Sequence, residues 1–242
     1  MKDFAVNNEG DDIVAYNKLL FETFPLTLFD PDYLLSSALI SDVNSQLQYG
    51  RGNVHCFTYN NLDLVLRHYH RGGLAAKVTQ DKFAWAGLEK SRPMQELELL
   101  SVLGNLELPV PKPAAARIYK RGLSYQADIV TVLIPDAITL GSILLNESIS
   151  KSNWQTIGSV IKKFHQHNCN HADLNAHNIM LNDKRDVYLI DFDKSNISAS
   201  TNAWKMKNLE RLKRSLEKLA NEHNEFQYSS ENFSSLMQGY AE

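Results

Sequence analysis

His171, Asp173, Asn178 and Asp191 have the residue types and spacing needed to move a phosphoryl group. Asp173 lies two residues after His171, Asn178 five after Asp173, and Asp191 closes an apolar run, Val187-Tyr-Leu-Ile190, thirteen residues later. On a loop, Asp173 could orient an acceptor hydroxyl and take its proton. Asn178 and Asp191 offer hard oxygens to a Mg²⁺ ion that bridges the phosphates of ATP. Turn chemistry alone also draws Asp and Asn to loops. The chemical reading is favoured because three side chains and two flanking strands agree with it.

Such a loop has to be carried by a lobe that holds a nucleotide, and the sequence from residue 50 onward reads that way. Gly50-Arg-Gly52 precedes a strand at 54–57, a turn at Asn60-Asn61 and a second strand at 62–67. Glycines at 50 and 52 would let backbone N–H groups approach phosphates, although a plain tight turn reads equally well. Arg67, at the end of the second strand, stands where a cation would contact the α- and β-phosphates. Arginine can do this bidentately, though not with lysine's geometry. Lys77, after Gly72-Gly73-Leu-Ala-Ala, is the alternative and reads better as a solvated loop residue.

A helix begins at Ser91-Arg-Pro93, with Leu97, Leu100 and Leu103 as its inner stripe. Glu96 flanks that stripe and is the carboxylate expected to pair with Arg67, while Glu98 points elsewhere. Pro109, Pro111 and Pro113 keep the next segment extended. Strands at 114–119 and 125–134 follow, joined at Lys120-Arg-Gly122. Ile134-Pro-Asp-Ala137 then reads as a hinge whose backbone could hold an adenine edge. Two domains are expected, 1–134 and 135–242.

In the second, residues 140–145 start a helical region. Asn153 is the expected cap of a helix burying Trp154, Ile157, Val160, Ile161 and Phe164. A long amphipathic helix runs from Trp204 to about Asn221, with Leu209, Leu212, Leu216 and Leu219 inward. Its other face carries Lys205, Lys207, Arg211, Lys213, Arg214 and Lys218, read as solvated charges, with membrane-surface contact as the alternative. Upstream, Asp30 and Pro31 look like the cap and first residue of a short helix with Tyr33, Leu34, Ala38 and Val43 on its apolar face. No strand is legible before residue 50, and residues 226–242 show no pattern.

Composition narrows the class. The chain has 242 residues, 43% hydrophobic and 22% charged, with a formal net charge of −3. That balance suits a globular protein and argues against bulk nucleic-acid binding. Cys56 and Cys169 make no disulfide framework, and Cys169 reads as a small buried apolar residue. The polar N-terminus is not a signal peptide, and no apolar run is long enough to span a bilayer. A cytoplasmic protein is expected.

The blocks His171-Ala-Asp-Leu-Asn-Ala-His-Asn178 and Leu189-Ile-Asp-Phe-Asp193 resemble the bacterial 3-deoxy-D-manno-octulosonic acid (Kdo) kinases. So do Leu64-Val-Leu-Arg-His-Tyr-His-Arg-Gly-Gly73, Leu108-Pro-Val-Pro111 and Ala127-Asp128, in the same order over roughly 48–195. The resemblance implies an α+β, protein-kinase-like bilobal fold: an antiparallel-sheet lobe with one helix, then a mainly helical lobe. It implies ATP-dependent phosphorylation of the 4-hydroxyl of Kdo on Kdo–lipid A, at the cytoplasmic face of the inner membrane, to which the protein is bound peripherally. Asp173 takes the catalytic-base position, Asn178 a metal-ligand position, and Asp191 that of the first Asp in the kinases' Asp-Phe-Gly. Three departures stand out: Asp193 for that glycine, Arg67 for the strand lysine, and His-Ala-Asp for His-Arg-Asp. The last makes control by a phosphorylated activation loop improbable. A small-molecule kinase of the aminoglycoside type and a non-catalytic kinase-like binding protein remain competing readings. The run of Arg67, Arg71 and Lys77, with its histidines, is expected to help attract an anionic acceptor.

Overall fold

The computed structural model describes residues 2–37, 39, 54–70, 81–198 and 203–242. Ala38, Val43, Gly50, Gly52, Arg71, Gly72, Gly73 and Lys77, which carried expectations above, lie outside the described residues. The chain forms two compact units. One comprises Met1–Ser101 and Pro111–Leu133, the other Val102–Val110 and Ile134–Glu242.

The first unit is built on a seven-stranded antiparallel sheet. Its strands are β1 (Phe4–Glu9), β2 (Asp12–Asn17), β3 (Val54–Tyr59), β4 (Leu62–His68), β5 (Phe83–Ala84), β6 (Pro113–Arg121) and β7 (Ser124–Val132). The order is β1-β2-β6-β7-β4-β3, with β5 added against β7. Asn60 and Asn61 join β3 to β4 with φ of 49° and 58°, the left-handed pair that a two-residue hairpin turn needs. One face of the sheet is buried by residues 21–34, whose Phe21, Phe24, Leu28, Phe29 and Leu34 pack on Val14, Tyr16, Phe57, Leu64, Leu66 and Val130. Within that segment α1 (Pro31–Ser36) starts as expected, with Asp30 Oδ1 accepting from the N–H of Asp32 at 3.0 Å. Leu34 is its buried residue, while Tyr33 is exposed.

The hairpin of β1 and β2 was not legible. β1 is an edge strand with one buried residue, Phe4, so the alternation that marks a strand is missing from its sequence. Helix α2 (Arg92–Asn105) buries Met94, Leu97, Leu100 and Leu103. Its start is tied to β7 by the N–H of Arg92, which donates to the Tyr125 hydroxyl at 2.9 Å.

The second unit contains β8 (Ile138–Thr139), α3 (Leu140–Asn146), α4 (Lys151–Gln166), β9 (Cys169–Asn170), β10 (Ile179–Leu181), β11 (Val187–Leu189), β12 (Asn196–Ile197), α5 (Ala203–Glu222) and α6 (Ser230–Ala241). The cap of α4 is Ser150, not Asn153: Ser150 Oγ accepts from the N–H of Asn153 at 3.2 Å. Asn153 therefore sits one turn inside the helix. Trp154, Ile157, Val160, Ile161 and Phe164 are buried on one face of α4. α6 packs along α4 at a glycine crossing. A Cβ on Gly158 would collide with the carbonyl of Leu236 and stand 2.8 Å from the nitrogen of Tyr240, and one on Gly239 would collide with the carbonyl of Gln155. α6 escaped the sequence reading because it contacts through small residues and buries only Leu236 and Gly239, leaving no apolar stripe to detect.

Candidate active site

The hairpin of β10 and β11 sets the spacing of the metal-ligand candidates. Ile179 pairs with Leu189, and the N–H of Ile190 donates to the carbonyl of Asn178 at 3.0 Å. Asn178 and Asp191 therefore leave the same end of one hairpin. Asp191 adopts φ of 60°, a left-handed conformation that Asp tolerates better than most residues. Phe192, fully buried, anchors the turn beneath it: its ring stacks on Phe164 at 5.9 Å and meets His171 at 4.7 Å.

His171 organises the loop rather than reacting. Its Nε2 donates to the carbonyl of Ile190 at 2.9 Å, and its Nδ1 accepts from the N–H of Asp173 at 3.2 Å. Both nitrogens are thus committed with the ring neutral, and burial holds its pKa below the usual histidine value. The N–H of Ala172 donates to Ser195 Oγ at 3.0 Å. The neighbouring Cys169 is inert, with burial pushing its thiol up to about 12.

Asp173 presents its carboxylate outward, with a side chain 57% exposed. Oδ1 accepts from Arg211 Nη1 at 2.9 Å, and Oδ2 accepts from Asn175 Nδ2 at 3.2 Å. Asn178 Nδ2 donates to the carbonyl of Asp173 at 2.9 Å. That bond fixes the rotation of the Asn178 amide, so its Oδ1 is directed away from the loop carbonyl. An amide oxygen and a carboxylate make a hard but incomplete donor set, the pattern for Mg²⁺ completed by phosphate and water. No three His, Cys, Asp or Glu gather into a self-sufficient metal site among the described residues.

Sequence reasoning missed the helix that braces this loop. Asn208, Arg211 and Ser215 share one stripe of α5. Asn208 Nδ2 donates to Asn170 Oδ1 at 3.2 Å, Arg211 reaches Asp173, and Ser215 Oγ accepts from the N–H of Ala176 at 3.2 Å. Nothing in the spacing could reveal partners 38 or 39 residues apart, and Arg211 was expected as a solvated or membrane-facing charge. Other charges of that helix face pair internally, Lys213 with Glu217, Arg214 with Glu210 and Lys218 with Glu222.

In the first unit, Arg67 Nη2 contacts both carboxylate oxygens of Glu96, at 2.7 and 2.8 Å. Glu96 is 3% exposed and also accepts from the Tyr69 hydroxyl, while the guanidinium of Arg67 lies 4.9 Å from the centre of the Tyr69 ring. The next residue, His68, projects from the opposite face of β4. Its Nδ1 lies 2.6 Å from Asp128 Oδ1, a bond that raises its pKa. Asp128 also faces Arg117 Nη1 at 3.8 Å, and Arg117 Nε donates to Asp12 Oδ1 at 2.6 Å. A cleft of about 330 Å³ lined by His55, His68, His70, Arg117 and Asp128 lies on that face, apart from the Arg67–Glu96 pair. Arg67 and His68 thus serve opposite sides of the sheet, and Arg71 and Lys77, the other cations of the expected run, lie outside the described residues.

The lipopolysaccharide kinase (Kdo/WaaP) family model matches residues 41–240. The chain is 39% identical over 210 residues to the 3-deoxy-D-manno-octulosonic acid kinase of Vibrio parahaemolyticus, covering 87% of this chain and 86% of that protein. It is 43% identical over 169 residues to the enzyme of that name from Vibrio cholerae, covering 70% and 72% of the two chains. Against the Haemophilus influenzae KW20 enzyme of that name it is 42% identical over 184 residues, covering 74% and 76%.

Proposed function

This chain belongs to the lipopolysaccharide kinase (Kdo/WaaP) family, and from that premise we propose that it transfers the γ-phosphoryl group of ATP to the 4-hydroxyl of the Kdo residue on Kdo–lipid A. The observation that carries the reading is Asp173, an exposed carboxylate on a loop whose backbone is held by His171, Asn178 and Ser215 of α5. Asp173 orients the sugar hydroxyl and takes its proton as oxygen attacks the γ-phosphorus. Asn178 and Asp191 would hold Mg²⁺, which when bound neutralises charge on the β- and γ-phosphates. Arg67, locked by Glu96, steadies the phosphates from the first lobe, residues 1–134. The backbone of residues 134–137 receives the adenine edge, and the second lobe, 135–242, carries the transfer. Gly50 and Gly52, which lie outside the described residues, are proposed to let backbone N–H groups approach the phosphates.

No described helix is long and apolar enough to cross a membrane. The lipid-borne acceptor calls for peripheral attachment at the cytoplasmic face, and Lys205 and Lys207 are the α5 cations without an ion-pair partner among the described residues. The experiment is incubation with ³²P-labelled ATP and Mg²⁺, with Kdo–lipid A or a soluble neutral sugar as acceptor. Label should enter Kdo–lipid A only, and two-dimensional NMR should place the phosphate on C4 of Kdo. Transfer to the neutral sugar alone would replace this reading with a small-molecule kinase.

A further inference from the structure

The catalytic carboxylate has both oxygens engaged, and one partner is a cation. Oδ1 accepts a charge-assisted bond from Arg211 at 2.9 Å, and Oδ2 a longer one from a neutral amide at 3.2 Å. An acceptor hydroxyl has to enter this arrangement. Arg211 is built to yield. Its side chain is 49% exposed and that of Asp173 57%, so the pair is solvated and cheap to exchange. Among the described residues only Nη1 of its five N–H donors' three nitrogens carries a hydrogen bond. The neutral contacts on either side, Asn208 to Asn170 and Ser215 to Ala176, hold α5 against the loop without it. Arg211 can therefore change partner while helix and loop keep their register.

We propose that Arg211 reads the acid group of the acceptor: it caps Asp173 in the free enzyme and passes to a carboxylate carried near the reacting hydroxyl. This rests on the reading of Kdo as acceptor, a sugar acid whose carboxylate can take the guanidinium fork bidentately. The exchange replaces one charge-assisted bond with two and opens Oδ1 to the hydroxyl. A neutral sugar offers no replacement, so it must break the cap unaided. Arg211 takes no proton. The hydroxyl proton goes to Asp173, the new O–P bond forms as the bond from the γ-phosphorus to the β,γ-bridging oxygen breaks, and ADP leaves with that electron pair.

The test compares kcat/KM for Kdo–lipid A with that for the same molecule bearing a primary carboxamide in place of the Kdo carboxylate. The wild-type ratio of acid to amide should be about tenfold or more, the size of a lost hydrogen bond to a charged group. In Arg211→Gln the ratio should fall toward one through a higher KM for the acid, with KM for ATP unchanged. Arg211→Lys, which keeps the charge without the fork, should give an intermediate ratio and carries the test where the Gln variant fails to fold. An unchanged acid-to-amide ratio in the folded variant overturns the proposal, as does a rise in KM for ATP, which marks a distorted loop. A wild-type protein that phosphorylates neither acceptor overturns the Kdo reading itself.

Discussion

The two units each hold an arginine–carboxylate pair, and the pairs differ in everything except chemistry. Arg67 and Glu96 join a strand to a helix, with Glu96 only 3% exposed and backed by the Tyr69 hydroxyl. Arg211 and Asp173 join a helix to a loop with both side chains about half in solvent. A buried carboxylate that loses its cation is left uncompensated, so the first pair is fixed in place. An exposed pair is screened and nets little, so the second can exchange partners. Burial, rather than residue type, separates a fixed pair from an exchangeable one.

The sharpest way to break this contrast is to take the cation away from the buried carboxylate. Arg67→Ala, which leaves Glu96 buried without its cation, should destabilise the protein by about 3–5 kcal/mol, read from the denaturant midpoint. A loss below about 1 kcal/mol would place the buried pair in the class of the exposed one. The next effect comes from histidines of opposite character. Burial lowers the pKa of His165 to about 4 and also lowers that of His171. As pH falls below about 6.5 the unfolded chain binds these protons before the folded one does, so stability drops from there toward pH 4. His165 alone contributes about 3 kcal/mol over that window. His68, raised by Asp128, runs the other way: its contribution is complete below about 6.5 and lost as pH rises through its folded value. Denaturant midpoints from pH 7.5 to 4.5 should show the drop in wild type and a shallower one in His165→Gln. Equal slopes would remove His165 from the account.

Gly158→Ala comes third. The added Cβ meets the backbone of α6, so the crossing must open, at about 1–3 kcal/mol. A neutral result in a thermal melt would mean that this crossing does not hold the second unit. Smallest is Arg211→Gln, which should change stability by less than about 1 kcal/mol. A larger change at low salt, relieved at high salt, would show the exposed pair acting as a fixture.

Legibility followed the same division. Asp173, Asn178 and Asp191 could be read because one loop and one hairpin carry them, and local spacing records local structure. Glu96 was expected as the partner of Arg67 because kinases pair a strand cation with a helix carboxylate, and helical geometry placed Glu96, not Glu98, beside the inner stripe of α2. Individual strands and helical stripes were readable from residue 54 onward, while the α+β bilobal architecture came from the family resemblance. The hairpin of β1 and β2 and helix α6 were not, since an edge strand and a glycine crossing leave no apolar period. Arg211 was placed on the right helix and given the wrong surroundings. Its partner is 38 residues away and set by how α5 docks, which no periodicity records.

The central claim is that the exposed carboxylate does the chemistry and holds none of the fold. Single-turnover transfer from labelled ATP to Kdo–lipid A by Asp173→Asn, alongside its thermal midpoint, tests it most directly. The account predicts transfer slower by about 10³-fold, within the range for a lost general base, and an unchanged midpoint. Transfer within a few fold of wild type would contradict it.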